Sequence, residues 1–449
     1  MSKTAKTREN LLHAGIFPLL IRLAIPTMIG MMIMMIYNLT DTFWIGRLND
    51  RSMTAAVGIV FAFVSLVQAV GFWFGYGSGN YMSRCFGAGK DDEAEVYANT
   101  GVALSLAGGI VLMLVPLLFL DPLTRLLGAG ASPALFEYTK TYLRIMLFAV
   151  PFAVFSTTVY NQLRLCGNIK HAMLGMMTGI LANIVLDPVF ILGLRMGIAG
   201  AGLATLLGQA GSCLALILIS ARGGSVPVSL RRCSLTREHV FHILAGGSPN
   251  FTRQGITSLA SVLLNHAASA YGETLLASLT IATRVAAIGY MLAIGFGQGF
   301  QPICAMNYGA KQYGRVRKAL KITVITGTLM MLAAAAVYAV FAEPLTRLFT
   351  ANDEVAVLGA RIIRFQCISL PFLGVYAYAS MFLQNTGKYF QALLVSVLRQ
   401  GIFYVPLLYV LPALFGLDGF LLLQPLADLL SAAIGIWFLL RALREMPAR

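Results

Sequence analysis

Charge is what this sequence has least of. Asp, Glu, Lys and Arg make up only 11% of its 449 residues, and the acids are the rarer sign, 18 against 33 basic residues. A soluble domain carries about a quarter charged residues, so a chain that is also 58% hydrophobic cannot bury its apolar surface in a water-soluble core. Cysteine is sparse too: six residues, at 85, 166, 213, 233, 304 and 367, lie too far apart to favour a disulfide framework or a zinc cluster. Of the five histidines, His239 and His242 are i,i+3 neighbours beside Arg231, Arg232 and Arg237, but no third ligand stands near them in sequence, so they read as a solvated helix start. There is no two-histidine metal motif, no paired acidic motif and no nucleophile elbow, which leaves an enzyme without support. Lys90-Asp91-Asp92-Glu93-Ala94-Glu95 reads as a helix start whose acids are stabilised by the positive end of the helix dipole.

What fills the chain is long apolar sequence. Mean hydropathy is +0.77, and the run from Met53 to Ser83 holds no charge for longer than the ~20 residues that cross a bilayer. Breaks of charge, Gly and Pro place twelve spans, near 15–44, 54–83, 96–120, 135–162, 171–193, 199–221, 240–270, 275–303, 319–341, 355–384, 389–414 and 419–441. The predicted fold class is an all-α polytopic membrane protein of twelve transmembrane helices in two six-helix lobes. An N-lobe at 1–221 and a C-lobe at 239–449 flank a cytoplasmic linker at 222–238, long enough to let two bundles rock. Basic residues gather at helix ends of one polarity, among them Lys6, Arg8, Arg84, Lys90, Arg164, Lys170, Arg231, Arg232, Arg315, Arg317, Lys388, Arg441 and Arg444. By the positive-inside rule both termini are cytoplasmic, in a multi-pass protein of the cell (inner) membrane. The net charge of +15 follows from that topology, and the dispersed basic loops form no stripe for nucleic acid.

The two lobes repeat one another. Gly75-Tyr76-Gly77, with Gly87-Ala88 ten residues on, returns as Gly297-Gln298-Gly299 with Gly309-Ala310, a shift of 222. Asp121-Pro122-Leu123-Thr124-Arg125 returns as Glu343-Pro344-Leu345-Thr346-Arg347 at the same shift, Gly167 returns as Gly387 (220), and Gly197 and Gly200 return as Gly416 and Gly419 (219). An even number of spans per half makes the repeats parallel, and duplicated halves in an apolar chain point to a transporter.

Ionisable residues inside the spans carry the functional argument. Asp41 in the first span and Asp187 in the fifth sit in apolar sequence; an intramembrane Asp costs ~2.5–3.5 kcal/mol at a helix centre and marks a functional site by default. Both fall toward the outer ends of their helices, where an interfacial carboxylate is the competing reading. Each shares a helix face with polar groups: Tyr37 and Asn38 lie one turn before Asp41, and Asn183 one turn before Asp187. Two such faces make an oxygen-lined pocket. Burial and mutual repulsion would raise a carboxylate pKa enough to exchange a proton, and ionised oxygens would hold a hard cation, so proton and sodium both stay open. Along the same faces Met34 and Met176 offer soft, adaptable contacts for varied apolar cations. Asn161, at the inner end of the fourth span, is a further candidate, with an ordinary helix-end amide as the competing reading.

Tyr37-Asn38-Leu39-Thr40-Asp41-Thr42-Phe43-Trp44-Ile45-Gly46, Asn183-Ile184-Val185-Leu186-Asp187-Pro188 and Gly197-Ile198-Ala199-Gly200-Ala201-Gly202 with Thr205 resemble the motifs of the multidrug and toxic compound extrusion (MATE) family, in its DinF-like branch. The resemblance covers essentially the whole chain. It implies a secondary active transporter that exports small organic, often cationic, drug-like compounds in exchange for protons or sodium by alternating access, expected to work as a monomer in membrane lipid with no cofactor beyond the coupling ion. It maps the cation site, for H+ or Na+, onto Asp41, Asn183, Asp187, the Ala201 carbonyl and Thr205. Tyr37, Asn38, Met34, Asn161 and Met176 stand as candidate substrate contacts. Pro26 matches the family's first-helix proline, a candidate hinge because its missing N–H permits a bend, with a static kink as the competing reading. The sequence departs from another branch of the family in lacking acids on the seventh and tenth spans; Asp428 in the twelfth is expected to pair with Arg253 or Arg399. A lipid-linked precursor flippase of similar architecture is the alternative, kept open by Arg253, Arg364 and Arg399.

Overall fold

The computed structural model describes residues 3–222 and 228–447; the side chains of residues 3–6, 38, 39, 41, 42, 131 and 230 lie outside that description, so Asn38 and Asp41 are placed by backbone only. The regular elements of the first half are α1 (Lys3–His13), α2 (Ile16–Gly46), α3 (Arg51–Gly87), α4 (Asp91–Leu118), α5 (Leu120–Leu126), α6 (Pro133–Leu165), α7 (Ile169–Pro188) and α8 (Gly197–Ala221). The second half holds α9 (Arg237–Ser269), α10 (Glu273–Gly309), α11 (Tyr313–Val340), α12 (Ala342–Arg347), α13 (Asp353–Asn385), α14 (Tyr389–Val397), α15 (Tyr404–Phe415) and α16 (Leu417–Glu445). Single π-helical segments, Val189–Gly193 and Leu398–Phe403, extend α7 and join α14 to α15.

Eleven of the described helical stretches are long and apolar enough to cross a membrane. The twelfth, α9, is as long as its counterparts but carries Ser248, Asn250, Arg253 and Gln254, which lower its hydropathy. The architecture is therefore the expected twelve-helix one. Several helices begin a few residues earlier than the apolar runs because polar caps start them: Asp50 Oδ1 accepts from the Ser52 and Met53 amides (2.8 and 3.1 Å), and Ser132 and Asn352 cap α6 and α13 in the same way. The repeated Pro-Leu-Thr-Arg segments are the short helices α5 and α12.

The contacts divide the chain into two compact units that differ from the chain-order lobes. Unit 1 comprises 1–13 and 33–251, and unit 2 comprises 14–32 and 252–449. Helix α2 thus gives its first half to unit 2, and α9 its first half to unit 1. The repeated glycines show why. A β-carbon on Gly75 would lie 3.0 Å from Asn161 Cβ, and one on Gly297 would lie 3.0 Å from the Tyr378 ring, so the first glycine of each motif seats α6 or α13. The second seats an exchanged half-helix: a β-carbon on Gly77 would run into the Ile243 backbone, and one on Gly299 would lie 2.6 Å from Ala24 Cα. Only glycine lets backbones approach so closely.

Polar bonds hold the same halves. In unit 2, Thr27 Oγ1 donates to the Gly295 carbonyl at 2.6 Å. In unit 1, Trp73 Nε1 donates to the Leu244 carbonyl at 2.8 Å, Tyr97 Oη bonds His242 Nδ1 at 2.7 Å, and Tyr81 stacks on the His242 ring. The expected solvated histidine pair is thereby corrected: aromatic neighbours from α3 and α4 hold His242 at the helix start. The linker is not slack over its described part either. The Ser229 amide donates to Asn99 Oδ1, the Ser234 amide to Thr100 Oγ1, and Arg232 pairs with Glu95, all on α4; residues 223–227 lie outside the described chain.

Candidate functional site

In unit 1 the fifth span meets the sixth at glycines. A β-carbon on Gly179 of α7 would collide with the Gly208 carbonyl and Ser212 Oγ of α8, and Ser212 Oγ donates to the Met176 carbonyl at 3.1 Å. One turn farther along α7, this close crossing sets Asn183 against Thr205, with Asp187 a turn beyond it. Asn183 Nδ2 donates to Asp187 Oδ1 and to Thr205 Oγ1, each at 3.3 Å, and all three residues are buried. Asn183 Oδ1 has no hydrogen-bond partner among the described residues. Ala201, fully buried, stands one turn before Thr205, so its carbonyl points along α8 toward that residue. Beyond Asp187, Pro188 offers no N–H, and the π-helical segment that follows packs on the start of α8, where a β-carbon on Gly200 would lie 2.8 Å from the Phe190 backbone.

The cluster therefore gathers a carboxylate, an amide oxygen and a hydroxyl in a buried place. That donor set suits a proton or a hard monovalent cation. No group of three or more His, Cys, Asp or Glu that could hold a metal occurs among the described residues.

The other expected residues separate. Tyr37 is half-buried on the part of α2 that belongs to unit 1, and its hydroxyl accepts from Gln209 Nε2 at 3.5 Å, one turn from Thr205. Asn38 and Asp41 follow it on the same helix, with side chains outside the description. Met34 and Met176 are half-buried. Asn161 stands elsewhere: its Nδ2 donates to the Thr157 carbonyl (2.8 Å), its Oδ1 accepts from Arg164 Nη2 (3.1 Å), and Arg164 lies over the Tyr76 ring. It belongs to a packed polar knot between α3 and α6. Pro26 lies inside an unbroken α2 next to Thr27.

In unit 2, Asp428 pairs with Arg399, the second of the two expected partners. Arg399 Nε reaches Asp428 Oδ1 at 2.5 Å, Gln424 Nε2 reaches the same oxygen at 2.7 Å, and Ser369 Oγ reaches Oδ2 at 2.9 Å. Sequence reasoning passed over Gly179, Gly208, Gln209, Ser369 and Gln424. The available signal was Gly175 and Gly179, four apart on one face of α7, the spacing of a close helix crossing.

Comparison with known proteins agrees with this architecture. The MatE family model matches residues 26–189 and 249–410, the second match starting 223 positions after the first. The multidrug export protein MepA of Staphylococcus aureus (strain NCTC 8325 / PS 47) is 27% identical over 431 residues, 95% of this chain and 94% of that protein. Among solved structures, MATE in the bent conformation superimposes with a TM-score of 0.91 at 28% identity, covering 99% of each chain. A MOP superfamily transporter from Pyrococcus furiosus, for which a reversed polarity of the binding pocket suggests a different function, gives 0.89 at 28% identity over 97% of this chain and 98% of that one. Matched over more than half its length by the family model, and folded as those structures are, this chain belongs to the MATE family of membrane transporters and is not an enzyme.

Proposed function

We propose that this chain is a secondary active multidrug efflux transporter of the DinF-like branch, exporting small organic, often cationic compounds in exchange for protons or sodium by alternating access. The observation that carries this reading is the buried Asp187–Asn183–Thr205 cluster on α7 and α8. The relatives' names support the substrate class. Binding a proton or cation at Asp187 neutralises a charge that burial disfavours, and Asp41, on the part of α2 that belongs to unit 1, completes the site. Because residues 16–32 of the same helix belong to unit 2, a shift of its outer half is passed along one continuous helix, and Pro26 is where a missing hydrogen bond lets it bend. Drug and ion then favour different arrangements of α2. The protein works as a monomer in the inner membrane with both termini cytoplasmic.

The flippase alternative has less support. It needs free basic groups for phosphate, whereas Arg399 is engaged by Asp428, and Arg364 is exposed and donates to the Ala339 carbonyl. Everted vesicles with sodium and pH gradients imposed separately test the proposal. Drug accumulation driven by one of the two gradients, and lost in Asp187→Asn, is expected; accumulation that responds to neither gradient would overturn it.

A further inference from the structure

Each unit carries a carboxylate, an amide and a hydroxyl in one cluster, although the helices that supply them do not all correspond. Gly197 and Gly416 both have positive φ, 56° and 58°, at the starts of α8 and α16, and their shift of 219 sets Thr205 against Gln424 in sequence. In unit 1 the cluster is a carboxylate (Asp187), an amide (Asn183) and a hydroxyl (Thr205). In unit 2 it is a carboxylate (Asp428), an amide (Gln424) and a hydroxyl (Ser369), joined by the Arg399 guanidinium. In unit 2 the carboxylate and amide lie on α16, the counterpart of α8, and the hydroxyl on α13, the counterpart of α6, but the donor chemistry is shared.

A buried carboxylate must be neutralised, by a proton, by a cation or by a fixed positive side chain. Arginine is the one of these that never leaves, because its guanidinium stays protonated at every physiological pH. The Asp428 side chain is 4% exposed and that of Arg399 14%, so the carboxylate is buried and the guanidinium largely so. The Tyr290 ring faces the guanidinium at 5.5 Å. Tyr376 and Tyr404 lie within electrostatic reach of both charges, and Arg253 within reach of Tyr376.

We infer that Asp428, Gln424 and Ser369 form a latent monovalent-cation or proton site in unit 2, which Arg399 fills as a tethered cation. Unit 2 accordingly binds no exchangeable ion, and coupling runs through unit 1 alone. That second statement rests on the coupling role proposed for Asp187; the latent site does not.

The test compares purified full-length Asp187→Asn, Asp187→Asn with Arg399→Ala, and the triple variant that adds Asp428→Asn, with Asp187→Asn plus Arg399→Lys as a tethered-cation control. The unfolding temperature is followed against sodium at constant ionic strength, with choline as replacement, and separately against pH. The inference expects the Arg399→Ala double variant to gain a saturable rise with sodium, or a rise on acidification, that the triple variant and the Arg399→Lys control lack. A sodium response identifies a metal-cation site and a pH response a proton site. A double variant that responds no more than the triple one, or that stays unfolded under every condition in which the triple one folds, overturns the inference. Sodium sensitivity persisting in Asp187→Asn alone would count against the proposed coupling site, while the double-against-triple comparison would still decide the latent one.

Discussion

A β-carbon on Gly208 would lie 3.0 Å from Asn183 Cβ, so the side chain that bridges Asp187 and Thr205 has its place only because residue 208 has none. The same β-carbon would lie 2.8 Å from the Gly179 carbonyl oxygen. Position 208 thus controls both the separation of α7 from α8 and the geometry of the cluster one turn away.

Gly208→Ala should push the helices apart and cost about 1–3 kcal/mol, the usual range for overpacking a tight interior. Efflux should fall more steeply than stability, since the 3.3 Å bonds from Asn183 lengthen first. Thermal unfolding in detergent, set beside drug efflux in cells, measures both; unchanged efflux would remove the glycine crossing from the account.

Asp187→Asn and Asp41→Asn should each leave protein in the membrane and abolish coupled efflux. Asn183→Ala should be milder, since it removes one hydrogen bond to the carboxylate, worth roughly 1.5–3 kcal/mol, about tenfold or more in ion affinity. Ion titrations of drug efflux in the three variants rank them; a silent Asp41→Asn would confine the site to α7 and α8.

Pro26→Ala restores the N–H that a regular helix donates to the carbonyl four residues back, here that of Arg22. It should yield a folded protein whose efflux is several-fold lower. Thr27→Ala removes the 2.6 Å bond to the Gly295 carbonyl and should lower stability by about 0.5–1.5 kcal/mol. Opposite assignments, with Pro26→Ala fully active and Thr27→Ala inactive yet stable, would show that the grip on α10 rather than the bend governs transport.

Asp428→Asn alone leaves the Arg399 cation buried without its carboxylate and should destabilise by about 3–5 kcal/mol, whereas a paired replacement by apolar residues of similar volume should be near neutral. Chemical or thermal unfolding of the single and double variants closes that cycle. A mild single variant would mean that Ser369 and Gln424, not the ion pair, hold this part of unit 2.

The twelve spans, their approximate ends and the parallel repeat were legible because hydropathy and the punctuation of Gly, Pro and charge are local properties of the chain. So were Asn183 and Asp187: one helical turn apart in apolar sequence, they could only share a polar face. Thr205 became visible through the family resemblance, since nothing near it in sequence marks it. Asn161 stands in the sequence as a candidate beside an ordinary helix-end amide, and its engagement by Arg164 depends on a rotamer and a neighbour that no local pattern encodes. Tertiary structure also decided that Asp428 pairs with Arg399, that His242 packs on Tyr97 and Tyr81, and that α2 and α9 give their first halves to the other repeat's unit. The physical reason is common to these cases. The repeated glycines were plain in the sequence, but a missing side chain says only that something may come close; which backbone fills the space at Gly77, Gly299 or Gly208 is settled when distant segments pack.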